Sequence, residues 1–218
     1  PPELGNLENL QELYLDNNEL GGVIPPELGN LNLCGLHLNG NQLSGPVPSS
    51  LTNLVHLDSA YTDLGYNALY AADEALVTFL DTKDPDWAVT QTVAPTDVIA
   101  AGVGANTVQV SWTPILYTAD GGGYLVYASE TAGGPYMLAG QTADKLTSAL
   151  SVTGLTSATP YYFTVKTTTD AHAANLNVVT SEMSAEASGA TLAQALIMGT
   201  VTLSGAPLPN VALMGLPG

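Results

Sequence analysis

The chain has no arginine and only three lysines, Lys83, Lys145 and Lys166, against 20 acidic residues. A formal charge of −17 follows. Nucleic acid and anionic lipid both require a cationic patch, so this balance excludes both as partners. The missing guanidinium also removes the usual bidentate grip on phosphate or carboxylate. There is one cysteine, Cys34, so no intrachain disulfide can form. A nucleophilic role for it would need a neighbouring base, which the sequence does not supply. It is expected as a small, largely buried side chain. Charged residues make up 11% of the chain, below the usual quarter or so, and Gly, Thr, Ser, Ala and Asn take their place. The three histidines, His37, His56 and His172, are scattered, and no phosphate-binding loop, Gly-x-Ser-x-Gly or His-Glu-x-x-His is present. No catalytic residues, cofactor or resident metal is therefore expected, and the chain is not expected to be an enzyme.

What is abundant is leucine, in a pattern. Leu10-x-x-Leu13-x-Leu15-x-x-Asn18-x-Leu20 returns as Leu33-x-x-Leu36-x-Leu38-x-x-Asn41-x-Leu43. A weaker third copy ends at Leu64-Gly65-Tyr66-Asn67-Ala68-Leu69. Alternating leucines such as Leu13 and Leu15 point to one face of a short strand. Leu10 and Leu20 are expected to close the same core from the flanks. Each Asn sits where the chain turns away from the strand, and its amide can both donate to and accept from backbone groups stranded in that turn. Gly22, Ile24-Pro25 and Gly45, Val47-Pro48 end the turns, and Pro-Glu-Leu-Gly-Asn-Leu starts a coil at Pro2 and again at Pro26. The stretch Leu4 to Leu69 resembles the plant-type leucine-rich repeat, which implies a solenoid. The chain opens inside a repeat, with nothing over the first coil, which reads as a piece of a longer protein.

In the third coil Thr62 stands where a core leucine is expected. Ala71 to Asp81 places Leu76, Phe79 and Leu80 at helical spacing, with Asp73 and Glu74 near the start, where acids suit the positive end of a helix. This helix is expected to cap the solenoid. Thr82 to Asp86 is expected to be a turn, with Trp87 folding back over the last coil. Asp81, Asp84 and Asp86 admit a calcium reading, but they lack the ligand spacing of a calcium loop, and a solvated Pro-containing turn is preferred.

After Thr92 the signal changes to strict alternation. Val108, Val110 and Trp112 share a face, as do Tyr124, Val126 and Ala128, then Tyr161, Phe163 and Val165. Glycine-rich turns separate them, which indicates a β-sandwich of about 100 residues. Ser111-Trp112-Thr113-Pro114, Gly123-Tyr124-Leu125-Val126-Tyr127, Leu155 followed by Tyr161, and Ser181-Glu182-x-Ser184 together resemble the fibronectin type III family. The resemblance implies a tyrosine corner at Tyr161 and a ligand-accessible loop at Asp170–Asn177. That loop lacks Arg-Gly-Asp. Its Asp170, His172 and Asn175 admit a metal reading, but satisfying their own loop backbone is preferred.

Ala187 to Gly218 carries no charge. Its Gly and Pro residues and its alternation at Val201 and Leu203, then Val211 and Leu213, favour a hairpin over a membrane span. Residues 199–208 faintly resemble the start of a carboxypeptidase-regulatory-like domain.

The fold expected is thus multidomain and mainly β: a short solenoid with a capping helix over 1–92, an immunoglobulin-like fibronectin type III sandwich over 93–191, and a hairpin opening a further β domain over 192–218. In a solenoid the residues between the leucines face the open, concave side. The candidate ligand-binding residues are therefore Glu12, Tyr14 and Asp16, then His37 and Asn39, then Tyr61 and Asp63, with Gly35 and Gly65 between them. Aromatic, acidic and amide groups in rows suit a protein or glycan ligand, and the alternative is an ordinary wetted face. The pairing of the two modules implies a secreted or cell-surface binding or adhesion protein of bacterial type. The other readings are the non-catalytic part of a secreted hydrolase and a surface-layer component.

Overall fold

The computed structural model describes residues 1–194, 202–203 and 206–207. In the N-terminal part the leucine pattern winds three coils. Each opens with a 3-10 turn, Pro2–Asn6, Pro26–Asn30 or Ser49–Asn53, and the first two carry proline at their start, where a missing N–H costs nothing. The strands that follow are β1 (Glu12–Tyr14), β3 (Gly35–His37) and β5 (Thr62–Asp63), paired in parallel. A second short strand in each coil, β2 (Gly21–Gly22), β4 (Gln42–Pro46) and β6 (Ala68–Tyr70), forms another parallel sheet. The register Leu13↔Leu36 and Leu36↔Thr62 stacks one buried side chain on the next, with Thr62 in the leucine's place.

Close stacking needs glycine. A Cβ on Gly29 would overlap the Ser50 carbonyl of the next coil, and one on Gly5 would lie 2.5 Å from the Glu27 carbonyl. Ile24, Leu28, Leu31, Leu33, Leu36, Leu51, Leu54, Leu64 and Leu69 fill the space inside. Burying each stabilises by about 1.5–3 kcal/mol relative to exposure. Leu20 differs from expectation: it is exposed, and Leu10 is only half-buried.

The repeat asparagines do what their chemistry allows. Asn41 Nδ2 donates to the carbonyls of Leu15 and Leu38, both at 2.9 Å, and its Oδ1 accepts the Leu20 N–H at 3.0 Å. Asn67 repeats this with Leu38, Leu64 and the Leu43 N–H. The helix α1 runs Glu74–Lys83, starting later and ending later than expected, so Thr82 and Lys83 are helical rather than part of a turn. Asp73 caps it by accepting the Leu76 N–H. Leu76, Leu80 and Trp87 close the far end of the core.

The second domain is a sandwich. One sheet holds β7 (Thr96–Gly104), β8 (Thr107–Thr113) and β11 (Ala149–Val152). The other holds β9 (Gly122–Ser129), β10 (Met137–Gln141), β12 (Pro160–Thr169), β13 (Val179–Thr180) and β14 (Ala187–Ala190). Val108, Val110, Trp112, Tyr124, Val126, Tyr161, Phe163 and Val165 form one core. The Thr156 N–H donates to Tyr161 Oη at 3.0 Å, which is the expected corner, and Tyr161 Oη donates in turn to Glu130. Pro160 opens β12, where its lost donor is tolerated. Ser181 and Ser184 hydroxyls accept the Thr167 and Val165 N–H groups, filling in for ladder bonds ahead of β14.

Beyond the sandwich, β15 (Thr202–Leu203) pairs antiparallel with β16 (Ala206–Pro207). Ala206 and Pro207, which lie between the two alternating runs, already pair back. Val211 and Leu213, the expected second arm, lie outside the described residues.

Candidate functional site

The strand register fixes which candidates meet. Tyr14 lies opposite His37, and His37 opposite Asp63. Glu12 lies opposite Gly35. Asp16 and Asn39 follow at the strand ends, where the Asn17 N–H donates to the Asn39 carbonyl. Glu12, Tyr14 and Tyr61 are exposed, and Asp16, His37, Asn39 and Asp63 are half-buried. All seven therefore belong to one face of the solenoid. Tyr61 is reached from a 3-10 turn, Ser59–Tyr61, just before β5, rather than from the strand itself.

Gly35 has a specific part in this face. A Cβ there would sit 3.0 Å from Tyr14 Oη, so the absent side chain leaves the slot in which the tyrosine lies. The Tyr14 ring meets His37 edge-on at 4.8 Å between centroids. Partial desolvation, reinforced by the Glu12 carboxylate, holds the Tyr14 phenol above its ordinary pKa, so it stays a neutral donor. Asp63 Oδ1 accepts the Gly65 N–H and shapes the strand end. Cys34, beside this face, is half-buried and donates to the Gln11 carbonyl at 3.3 Å.

Two carboxylates of the acidic run at the helix end accept hydrogen bonds from the solenoid. Asp84 turns inward and accepts the Leu64 N–H at 2.7 Å, and Asp81 accepts the Trp87 indole N–H at 3.0 Å. Among the described residues no group of three or more His, Cys, Asp or Glu side chains is placed to hold a metal, and no helix is long and apolar enough to cross a membrane.

Sequence reasoning missed where the loop Asp170–Asn177 goes. It was expected to satisfy itself and to stay open to ligand. The His172 N–H and the Asn175 carbonyl do pair within it. The amides, however, reach the solenoid. Asn175 Nδ2 donates to the carbonyls of Asn41 and Tyr66, both at 2.8 Å, and Asn177 Nδ2 donates to the Asn18 carbonyl at 2.7 Å. These acceptors belong to three successive coils. His172 packs against Tyr66 and Tyr117, and its Nε2 lies 3.0 Å from Tyr117 Oη.

Beside this contact Lys145 is buried. Its Nζ donates to the Ala119 carbonyl at 2.6 Å and to Thr169 Oγ1 at 3.1 Å, and sits 4.2 Å above the Tyr117 ring. Thr169 Oγ1 also hydrogen-bonds Thr92 Oγ1, at the solenoid's exit. Burial lowers the Lys145 pKa, opposed by Asp120 and Asp170. The one usable signal in the sequence is rarity: Lys145 is one of only three cations in the chain.

Residues 9–31 and 32–54 each match the Leucine Rich Repeat family, and residues 93–179 match the Fibronectin type III domain family. Similar solved structures include an Fn3-like protein from Clostridium thermocellum, 25% identical, covering 46% of this chain and 93% of that one at a TM-score of 0.37. Titin module A71 from human cardiac muscle is 22% identical, covering 44% of this chain and 86% of that one at a TM-score of 0.35. No curated protein matches.

Proposed function

We propose that this chain, in which two leucine-rich repeats lead into a fibronectin type III domain, is a non-catalytic binding module of a secreted or cell-surface protein of bacterial type. Both families are generally protein-interaction or spacer modules. In the proposed division of labour the solenoid recognises a ligand and the sandwich holds it in place. The observation that supports this reading is the row Tyr14–His37–Asp63, with exposed Tyr14 and Tyr61 flanked by Glu12 and Asp16. Rigid aromatic side chains with polar tips are suited to anchoring a partner. A surface-located reading is supported by the sparse charge and the lack of any basic patch.

Of the ligand classes, protein is preferred over glycan, since carboxylates rather than amides dominate the face. The test replaces Tyr14, His37 and Tyr61 together with alanine. Ligand capture should be lost while the melting temperature stays unchanged, because Tyr14 and Tyr61 are exposed and His37 lies outside the leucine core. Retained capture removes the concave face from the proposal.

A further inference from the structure

We infer that the recognition surface is built by both domains, and that it takes an extended, basic polypeptide segment whose end enters a crevice between the solenoid and the docked sandwich loop. This rests on the binding role proposed above for the concave face. It adds a second wall and a partner chemistry.

The crevice, of about 380 Å³, is lined by Asn17, Asn18, Glu19 and Gly40 on the solenoid side and by Leu176 and Asn177 on the sandwich side. It begins one residue beyond Asp16 and one residue beyond Asn39, so it continues the concave strands at their exit. Its geometry is held. Asn17 has a left-handed backbone, φ 53°, and Asn17 Nδ2 donates to Asp16 Oδ2 at 2.9 Å. Gly40, also left-handed, leaves room for the loop: a Cβ there would meet the Ala174 carbonyl at 3.0 Å and Asn17 Oδ1 at 2.7 Å. The loop itself is pinned on both sides of Leu176, by Asn175 to Asn41 and Tyr66 and by Asn177 to Asn18.

Pinned in this way, Leu176 cannot fold inward, and it is 81% exposed. An apolar side chain held out from a polar clasp, at the mouth of a cleft between domains, is where a ligand side chain finds both apolar cover and fixed polar partners. Pre-organisation removes much of the ordering cost of binding.

Charge selects the partner. The face and crevice carry Glu12, Asp16, Glu19 and Asp63. The three lysines are all elsewhere: Lys83 is bonded to the Leu57 carbonyl at the cap, Lys145 is buried, and Lys166 lies on β12. A lysine or arginine side chain meets carboxylates beside the Tyr14 and Tyr61 rings, which suits both ion pairing and cation–π contact.

The probe is a phage-displayed library of random peptides of about twelve residues, long enough when extended to cross three coils and reach the crevice. It is selected at low salt on the intact chain, and the best peptide is then synthesised with a fluorophore. Lys- or Arg-rich peptides should emerge, and binding should weaken steeply with salt. Leu176→Ser, which removes the apolar cover without adding charge, and Asn17→Gly, which removes the amide and accepts the left-handed backbone, should each weaken the selected peptide by about tenfold or more, while leaving the melting temperature in place.

If the Tyr14, His37 and Tyr61 replacement abolishes binding but Leu176→Ser and Asn17→Gly do not, the two-domain surface is wrong and the concave-face reading stands. If only the crevice variants matter, the concave face is wrong and the composite surface falls with it. If no peptide binds but a glycan array does, the polypeptide assignment is overturned.

Discussion

Asn67 and Gln91 perform the same task one coil apart. Asn67 Oδ1 accepts the Leu43 N–H at 3.0 Å while its Nδ2 donates to the carbonyl of Leu64. Gln91 Oε1 accepts the Leu69 N–H at 2.9 Å while its Nε2 donates to the same Leu64 carbonyl, also at 2.9 Å. Both side chains are buried. The segment after α1 thus acts as a degenerate fourth coil, and the longer glutamine ends the asparagine row from outside the repeat.

Asn67→Ala leaves the buried Leu43 N–H without its acceptor, while the Leu38, Leu64 and Gly65 carbonyls lose one donor each but keep Asn41, Gln91 and the Gly40 N–H. The expected loss is about 1–3 kcal/mol, the cost of one orphaned buried polar group. Urea unfolding followed through Trp87, with Trp112 replaced by phenylalanine, isolates the solenoid, because Trp87 belongs to its core and Trp112 to the sandwich's. A midpoint within error of the parent would contradict the role given to the row.

Gly29→Ala tests the spacing of the coils. The added methyl overlaps the Ser50 backbone, which cannot swing aside as a flexible side chain does. Forced separation of packed layers costs about 1–3 kcal/mol. The same change at Gly21, where a Cβ has only ordinary contact, should cost much less. Thermal melts of the two variants side by side supply the comparison, and equal losses would count against steric spacing.

The solenoid was legible because its leucines repeat faithfully, and the sandwich because Val108, Val110 and Trp112 alternate as cleanly as Tyr161, Phe163 and Val165. The second sheet of the solenoid was not. Gly21, Gly22 and Gly45 supply strand residues that carry no side-chain alternation. Gln91 was missed because its role depends on stacking, not on the repeat consensus. The seven concave residues follow from strand geometry once the leucines are placed, whereas the docking of Asn175 and Asn177 depends on how two domains meet. No local pattern encodes that, since a loop asparagine reads the same whether its amide finds its own backbone or a neighbour's.

Lys145→Met probes the junction between the domains. Methionine keeps the apolar stem and removes the charge, leaving the Ala119 carbonyl without its donor and Thr169 with only Thr92. A hydrogen bond from a charged group contributes about 1.5–3 kcal/mol, offset here by relief of the desolvation that lowers the lysine pKa. A net loss of about 1–2 kcal/mol is expected by denaturant titration, and the change should also speed proteolysis around Thr92. An unchanged cleavage rate would show that the lysine does not help to hold the junction.

Asp84 makes the solenoid cap sensitive to pH. Its carboxyl is 5% exposed, and burial, with Asp63 and Asp86 nearby, raises its pKa from 3.8 to about 7, against the lowering effect of the Leu64 N–H. Between these two values the folded chain keeps a proton that the unfolded chain has released. Stability from this group is therefore fully present below about pH 4 and is lost as pH rises through about 7, at up to about 1.4 kcal/mol per pH unit. Mutual repulsion of the other carboxylates runs in the same direction, so the parent curve alone does not isolate Asp84. Asp84→Asn does. The amide oxygen can still accept the Leu64 N–H, and no ionisation remains. Across pH 4.5 to 8 the melting temperature of the Trp87-reported transition should fall less steeply in the variant, which should be the more stable protein at pH 8. Parallel curves would show that Asp84 is ionised in the folded state throughout and that its burial is compensated by the solenoid backbone alone.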